Sequence, residues 1–461
     1  MEKERTTDTT KHAALLIATM SSFLTPFTAS SINIALPSIG TKLSLNAVAL
    51  SWVATAYILA AATFLVPLGR IADIYGRKKV FQIGIIIDAA ASIACAMSDT
   101  GEWLIIFRAL QGLGGAMIFG TGVAILTSVF PVNERGKMLG VNAAAVYTGL
   151  SVGPLIGGFL TGQFGWRSIF LLNALLGLIT TVTVFWKLKG EWTGASGEKF
   201  DYVGALLYSL AIVTTMYAFS VLPAPGACWL ILFGLLGLAA FVSWEIRSDS
   251  PVLNISLFRK NTVFAMSNLA ALISFSSTFA VGFLLSLYLQ YIKGFSPEHA
   301  GLILIVQPVI QMICSPLAGS LSDRIEPRIV ASAGMVMTTT GITMLSFLTN
   351  QSPLAFVILC LAVLGLGFGL FSSPNTNAVM SSVEKSSYGV ASGMIGTMRL
   401  IGQAFSMGMA LLLFALNIGR VQITPELYPL FLKSMRQAFS ISAFLCGAGV
   451  IASIARGKTR R

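Results

Sequence analysis

The sequence predicts an all-α polytopic membrane protein with about fourteen spans, arranged as two six-helix bundles plus an inserted helix pair. Three observations carry this. Hydrophobic residues make up 55% of the 461 and charged residues only 10%, where soluble domains carry about 25% charged residues. The apolar residues gather in runs of the length a helix needs to cross a bilayer, about 20 residues, and the charges fall between the runs. Those charges are also unequally shared. With the N-terminus inside, 22 Lys and Arg lie on that side, six on the other (Lys42, Arg167, Lys293, Arg420, Lys433, Arg436) and two, Arg108 and Arg399, within spans. Basic residues stay on the cytoplasmic side of such proteins, so both termini are expected there, in the cell membrane. A net charge of +12 spread over loops in this way reports topology and argues against a nucleic-acid surface.

Residues 1–12 are polar and form a cytoplasmic tail, and the run after them is long enough to span, so the first span is expected to act as its own insertion signal rather than a cleaved leader. Runs near 13–36, 48–70, 79–97, 102–126, 138–160 and 166–187 make the first bundle, residues 13–187. The hydrophilic stretch 187–201 opens a linker and an inserted hairpin over 188–261, with runs near 202–222 and 228–246. Runs near 262–292, 299–321, 329–349, 353–376, 389–416 and 436–455 make the second bundle, residues 262–455, and 456–461 form a cytoplasmic tail. Residues 417–435 read as an external loop, with a short interfacial helix as an alternative for part of it. The five cysteines are scattered through apolar segments without the spacing of a metal site or disulfide framework, and read as packed thiols.

The densest charge in the chain is Gly69-Arg70-Ile71-Ala72-Asp73-Ile74-Tyr75-Gly76-Arg77-Lys78-Lys79, a short turn after the second run. Gly69 and Gly76 let two helices and their turn approach closely, Asp73 can accept hydrogen bonds from a neighbouring helix N-terminus, and Arg77 with the two lysines holds the turn inside. A weaker copy, Gly319-Ser320-Leu321-Ser322-Asp323-Arg324, follows the second run of the second bundle. Such a repeat suggests two halves related by an axis along the membrane normal, with a site between them. The fourth run holds Arg108-Ala109-Leu110-Gln111-Gly112-Leu113-Gly114-Gly115-Ala116. An intramembrane arginine costs about 2.5–3.5 kcal/mol on insertion scales, so Arg108 must face a cavity or a partner. In the fifth run, Gly149, Gly153 and Gly157 with Gly158 offer a smooth face for a close-packed helix, and Pro154 removes a backbone bond and bends the helix.

Together these segments resemble the motifs of the major facilitator superfamily, and with fourteen spans they resemble its drug:proton antiporter branch. Ser51-Trp52-Val53-Ala54-Thr55-Ala56-Tyr57, Gly165-Trp166-Arg167-Ser168-Ile169-Phe170 and Ser372-Ser373-Pro374-Asn375-Thr376-Asn377 carry the resemblance over nearly the whole chain. It implies a secondary transporter, not an enzyme, that works by alternating access and exports amphipathic small molecules or drugs in exchange for protons, as a monomer in lipid. It implies a conformational latch at Gly69, Asp73, Gly76 and Arg77, with Asp73 bonding near Tyr388 and Gly389, and an antiporter motif at Gly149, Gly153, Pro154, Gly157 and Gly158. Arg108 is associated with proton transfer in that family, while a role pinning its helix to backbone carbonyls stays open.

One departure bears on coupling. The branch commonly carries an Asp before the Asn33-Ile34-Ala35-Leu36-Pro37 element, and here that region is Leu24-Thr25-Pro26. Asp88, deep in the third run, is the replacement protonation candidate, with simple pairing to a polar neighbour as the other reading. By analogy with the family, the cavity-lining candidates are Thr25, Thr28, Asn33, Tyr57, Gln111, Gln307, Gln311, Arg399 and Gln403. Two basic residues and one acidic residue within the spans favour neutral, amphipathic or anionic substrates over multivalent cations. No His cluster, Cys-x-x-Cys or phosphate-binding Gly-x-x-x-x-Gly-Lys loop occurs, so no metal, cofactor or ATP site is expected and an ion gradient is the expected energy source. The missing first-span carboxylate keeps a second function open, an uncoupled facilitator or importer of a polar or anionic metabolite.

Overall fold

The computed structural model describes residues 2–130, 132–188, 190–222, 224–248, 251–253, 258–259, 261–383, 388–419 and 421–457. Its helices are α1 (Glu2–Lys42), α2 (Ala47–Tyr75), α3 (Arg77–Met97), α4 (Gly101–Val129), α5 (Val132–Phe164), α6 (Arg167–Lys187), α7 (Tyr202–Val221) and α8 (Ala227–Glu245). They continue with α9 (Thr262–Leu287, extended by a π-helical turn Tyr288–Ile292), α10a (Pro297–Leu304), α10b (Val306–Arg324), α11 (Pro327–Leu345), α12 (Leu354–Ser381), α13 (Tyr388–Asn417) and α14 (Tyr428–Ala455). Fourteen segments, with α10a and α10b counted as one, are long and apolar enough to cross a membrane, and no strand occurs among the described residues. A lipid environment forces this choice, because a helix satisfies its own backbone polar groups. Polar residues mark several starts: Asn46, Asp201 and Asn261 each accept a bond from a backbone N–H three residues on, at 2.8, 2.8 and 3.0 Å.

Helix pairing repeats across the chain. In the first half α1 packs on α5 and α6, α2 on α4, and α3 on α4 and α6; in the second half α9 packs on α13 and α14, α10b on α12, and α11 on α12 and α14. Each pairing recurs eight helices later, which is the twofold relation that the Asp323 copy of the charged turn suggests. The two halves meet where α5 packs on α10a and α2 on α13, with α1 beside α9. The pair α7–α8 packs on itself, and α7 rests on α2 and α13, with the Tyr208 hydroxyl donating to the Ala62 carbonyl at 2.8 Å. The inserted hairpin therefore stands beside the α2–α13 seam.

Close packing in the first bundle depends on α5. A Cβ at Gly149 would lie 2.5 Å from the Phe23 carbonyl oxygen and one at Gly157 would lie 2.7 Å from Ser31 Cα, so α1 and α5 touch backbone to backbone. The Ser31 hydroxyl then reaches the Gly153 carbonyl at 2.9 Å. Gly158 points elsewhere: a Cβ there would lie 2.6 Å from the Pro297 carbonyl of α10a in the opposite half. The glycines of this one segment thus serve two interfaces, since positions four apart share a face and the next residue turns about 100° away.

Three features differ from the sequence expectation, the first being that α1 begins at Glu2, so residues 2–12 of the stretch expected as a tail are a helical extension of the first span. Helix α14 begins at Tyr428 behind a 3-10 turn, Pro425–Leu427, so the segment expected as loop up to 435 is helical in its last part. Proline in the first turn suits a helix start, and the polar first turns carrying Lys433 and Arg436 dilute the hydropathy signal there. Arg456, expected in the tail, is 1% exposed. Its guanidinium bonds Ser267 Oγ at 3.2 Å, Asn375 Oδ1 at 3.0 Å and Ser453 Oγ at 2.6 Å, tying the end of α14 to α9 and α12.

Candidate functional site

Asp88 sits eleven residues into α3, about 16 Å along the helix, and is 6% exposed. Asn173 of α6 donates to its carboxylate Oδ2 at 3.0 Å and to Ser92 Oγ at 2.8 Å. The Thr28 hydroxyl of α1 donates to Asn173 Oδ1 at 2.6 Å, which spends both ends of that amide. Gln111 of α4 donates to the same Ser92 oxygen at 2.7 Å. Gln111 Oε1 accepts from Arg108, whose Nε also donates to the Val53 carbonyl of α2 at 3.1 Å. The guanidinium lies over the Tyr57 ring, 4.5 Å from its centroid. A buried carboxylate and a buried guanidinium are therefore joined through Asn173, Ser92 and Gln111 without direct contact, and the chain of bonds touches α1, α2, α3, α4 and α6.

Small residues make room for this. A Cβ at Gly115 would lie 2.6 Å from the Tyr57 hydroxyl, and one at Gly114 would lie 2.7 Å from the Asp88 backbone nitrogen. The glycines around Arg108 thus let α2 and α3 close on α4 so that short polar side chains can reach each other.

Thr28 and Gln111, counted with the cavity-lining candidates in the sequence, spend their hydrogen bonds inside the first bundle instead. Facing side chains on three helices consume them, which spacing along one helix cannot reveal. Asn173 and Ser92 were missed; a lone amide in the otherwise apolar stretch of α6 was the available signal. Of the remaining candidates, Asn33 and Arg399 meet the opposite half. Ser286 and Gln290 of α9 donate to the carbonyls of Asn33 and Ile34 at 2.5 and 2.9 Å. Gln311 is 4% exposed, with its Nε2 lacking a hydrogen-bond partner. Thr25, Gln307 and Gln403 keep partial exposure, as does Arg399, which lies against Phe119 of the other half.

The charged turn is held by the linker that follows α6. Asp73 pairs with Arg77 at 2.7 Å, and Arg77 also donates to Ser128 Oγ of α4 at 2.5 Å. The Asp73 carbonyl accepts from the backbone N–H of Gly194 and Ala195, both at 3.0 Å, while the Arg77 N–H donates to the Trp192 carbonyl at 2.9 Å. Glu191 accepts from the Lys78 N–H at 2.8 Å and fills the space beside Gly76, where φ is +125° and a Cβ would lie 2.6 Å from its carboxyl carbon. The Tyr388 side chain and the surroundings of Gly389, the expected partners of the Asp73 latch, lie outside what is described, as does the Asp323 side chain of the second copy. Among the described residues no grouping of His, Cys, Asp and Glu could hold a metal ion.

Two pseudo-symmetric six-helix halves meeting along one seam, with charged residues buried in the membrane-spanning region, define an integral membrane protein that moves small molecules rather than transforming them. Residues 18–407 and 267–460 match the sequence model of the Major Facilitator Superfamily, and the chain belongs to that family. It is 30% identical over 448 residues to the riboflavin transporter RibZ of Clostridioides difficile, covering 96% of this chain and 97% of that protein. It is 32% identical over 379 residues to the multidrug resistance protein Stp of Mycobacterium tuberculosis, covering 80% and 70% respectively. Among solved structures, a bacterial homologue of the lysosomal transporter Spinster, inward-facing and unoccupied, superposes with a TM-score of 0.69 over 97% of this chain and 96% of that one at 16% identity. That likeness speaks to the fold.

Proposed function

We propose that this transporter exports amphipathic small molecules in exchange for protons, that Asp88 carries the proton, and that the two halves, residues 13–187 and 262–455, rock about the seam between them. The observation carrying this reading is the chain of bonds from Asp88 through Asn173, Ser92 and Gln111 to Arg108. A carboxyl held by a single amide donor and sharing a low-dielectric network with a guanidinium exchanges one unit of charge when it takes or releases a proton. That change is felt at once by α1 through Thr28 and by α2 through the Val53 carbonyl, and α1 and α2 are two of the helices that meet the other half. Arg108 acts as the fixed counter-charge. The Asp73 turn, clasped by residues 191–195, serves as the conformational latch, with the cell membrane as the site and both termini cytoplasmic.

The test uses proteoliposomes with a trapped pH dye and an imposed proton gradient. Substrate-dependent proton flux is expected in the wild type and absent in Asp88→Asn; equal flux in both would remove Asp88 from the mechanism. A second reading, an uncoupled facilitator or importer of a polar or anionic metabolite, draws on Leu24-Thr25-Pro26 where the branch carries a carboxylate and on the end-to-end similarity to a protein named for riboflavin. Substrate movement without proton flux in the same vesicles would favour it.

A further inference from the structure

Arg108, Arg399 and Arg456 are among the arginines buried or half-buried in the helices of this protein, and two of these three have hydrogen-bond acceptors. Arg108 has the Val53 carbonyl, Gln111 and the Tyr57 ring. Arg456 has Ser267, Asn375 and Ser453. Arg399 differs. It lies in α13 eleven residues from Tyr388, about 16 Å along the helix, and Phe119 lies ten residues from the Val129 end of α4, about 15 Å along it. At this shared depth the Arg399 guanidinium stacks over the Phe119 ring, 4.6 Å from its centroid, across the seam between the two halves. Its Nε is shielded from solvent without a hydrogen-bond partner. No ion pair among the described residues includes it. The phenols of Tyr147 and Tyr57 are near enough to interact with it electrostatically, and the Tyr147 hydroxyl reaches across the seam to Ser372 Oγ at 2.9 Å.

A guanidinium inside a membrane protein is normally matched by an acceptor or a carboxylate. Here the guanidinium lies over an aromatic ring, and among the described residues no acceptor meets the edge that carries its donors. That edge has the geometry for bidentate contact with a planar oxyanion, and stacking on a ring leaves it free. The half-buried Phe119 and Tyr147 supply flat apolar surface for the body of the same ligand. We propose that Arg399 and Phe119 form a subsite for planar aromatic anions, the carboxylate on the free edge of the guanidinium and the ring system against Phe119 and Tyr147. The proposal deepens the transporter reading by naming the class of substrate, and it is independent of proton coupling.

The test is equilibrium binding to the purified full chain, read by fluorescence anisotropy, with carboxyfluorescein and rhodamine 123 as probes. The two share a xanthene ring and differ in charge. Wild-type protein is expected to bind carboxyfluorescein at least about tenfold more tightly, the scale of a charge-assisted hydrogen bond. Arg399→Gln removes that preference, Arg399→Lys retains part of it because the charge remains without the planar fork, and Phe119→Leu weakens carboxyfluorescein severalfold. Equal affinity for the two dyes in the wild type, or an unchanged preference in Arg399→Gln, would overturn the subsite. Should the variants not fold, competition on the wild type decides. 2-Naphthoate displacing carboxyfluorescein while cyclohexanecarboxylate does not supports the subsite, and equal displacement overturns it. Charge-selective binding without movement of the dye into proteoliposomes would refute the transport reading and leave the subsite standing, and transport indifferent to dye charge would do the reverse.

Discussion

At the scale of single residues, Asn173 has the widest reach in the polar network. Its amide gives one hydrogen to Asp88 and one to Ser92 and takes one from Thr28, so removing it strands the buried Asp88 carboxylate, while Ser92 keeps Gln111 and Thr28 keeps the Leu24 carbonyl. Asn173→Ala should lower unfolding stability in detergent by about 1–3 kcal/mol, the cost of leaving a buried polar partner unsatisfied. Asn173→Asp should also impair proton-linked transport, since it places a second carboxyl against Asp88. A thermal unfolding series on both variants, with Asp88→Asn beside them, checks this: unchanged midpoints in Asn173→Ala would mean that the amide is dispensable. Asp88→Asn keeps the size of the side chain and lets its amide oxygen accept from Asn173, so it is expected to lose coupling with little loss of fold.

At the scale of elements, the glycines of α5 decide how closely α1 can lie. Valine at Gly149 would force side-chain atoms into the Phe23 carbonyl, where even a Cβ would lie at 2.5 Å, and should destabilise by about 3 kcal/mol or more. Gly122 in α4 is the control, because the nearest atom to a Cβ there is 3.9 Å away. Gly122→Ala should be neutral or stabilising by up to about 1 kcal/mol through helix propensity. Comparable unfolding midpoints for Gly149→Val and Gly122→Ala would show that the close approach of α1 and α5 is not what holds the bundle. The linker is an element in its own right: residues 191–195 bind the α2–α3 turn through three backbone hydrogen bonds and the Glu191 carboxylate, so the loop between the first bundle and the inserted hairpin is part of the turn's structure.

At the scale of the whole molecule, the described contacts that join the halves include a set at the face opposite the chain termini. Ala47 N–H bonds the Val421 carbonyl at 2.8 Å, Ser286 and Gln290 bond the carbonyls of α1, and α10a packs on α5. Rocking between two openings has to break these contacts. Cysteines introduced at Ala47 and Val421, in a background without the five native cysteines, should cross-link readily and stop transport, and reduction should restore it. Full transport in the cross-linked protein would show that this face does not open. The inserted pair α7–α8, resting on the α2–α13 seam, then moves with whichever half holds it more firmly; Tyr208 of α7 bonds the Ala62 carbonyl of α2.

The sequence by itself determined the fold class, the number of spans and the family. Each rests on information that is local along the chain: run length against bilayer thickness, the sign of loop charge, and glycine and charge motifs at fixed spacing. The inward course of Asp88 and Arg108 was legible for the same reason, since a charge inside an apolar run is conspicuous wherever it points. Only the tertiary structure decided that Asp88 and Arg108 belong to one chain of bonds, that Thr28 and Gln111 are spent within it, that Gly158 serves a different interface from Gly157, and that Arg456 turns inward while Arg399 stacks on Phe119. These depend on the rotation and depth of each helix relative to its neighbours, which arise from packing between segments far apart in the chain and leave no periodic mark in any one of them.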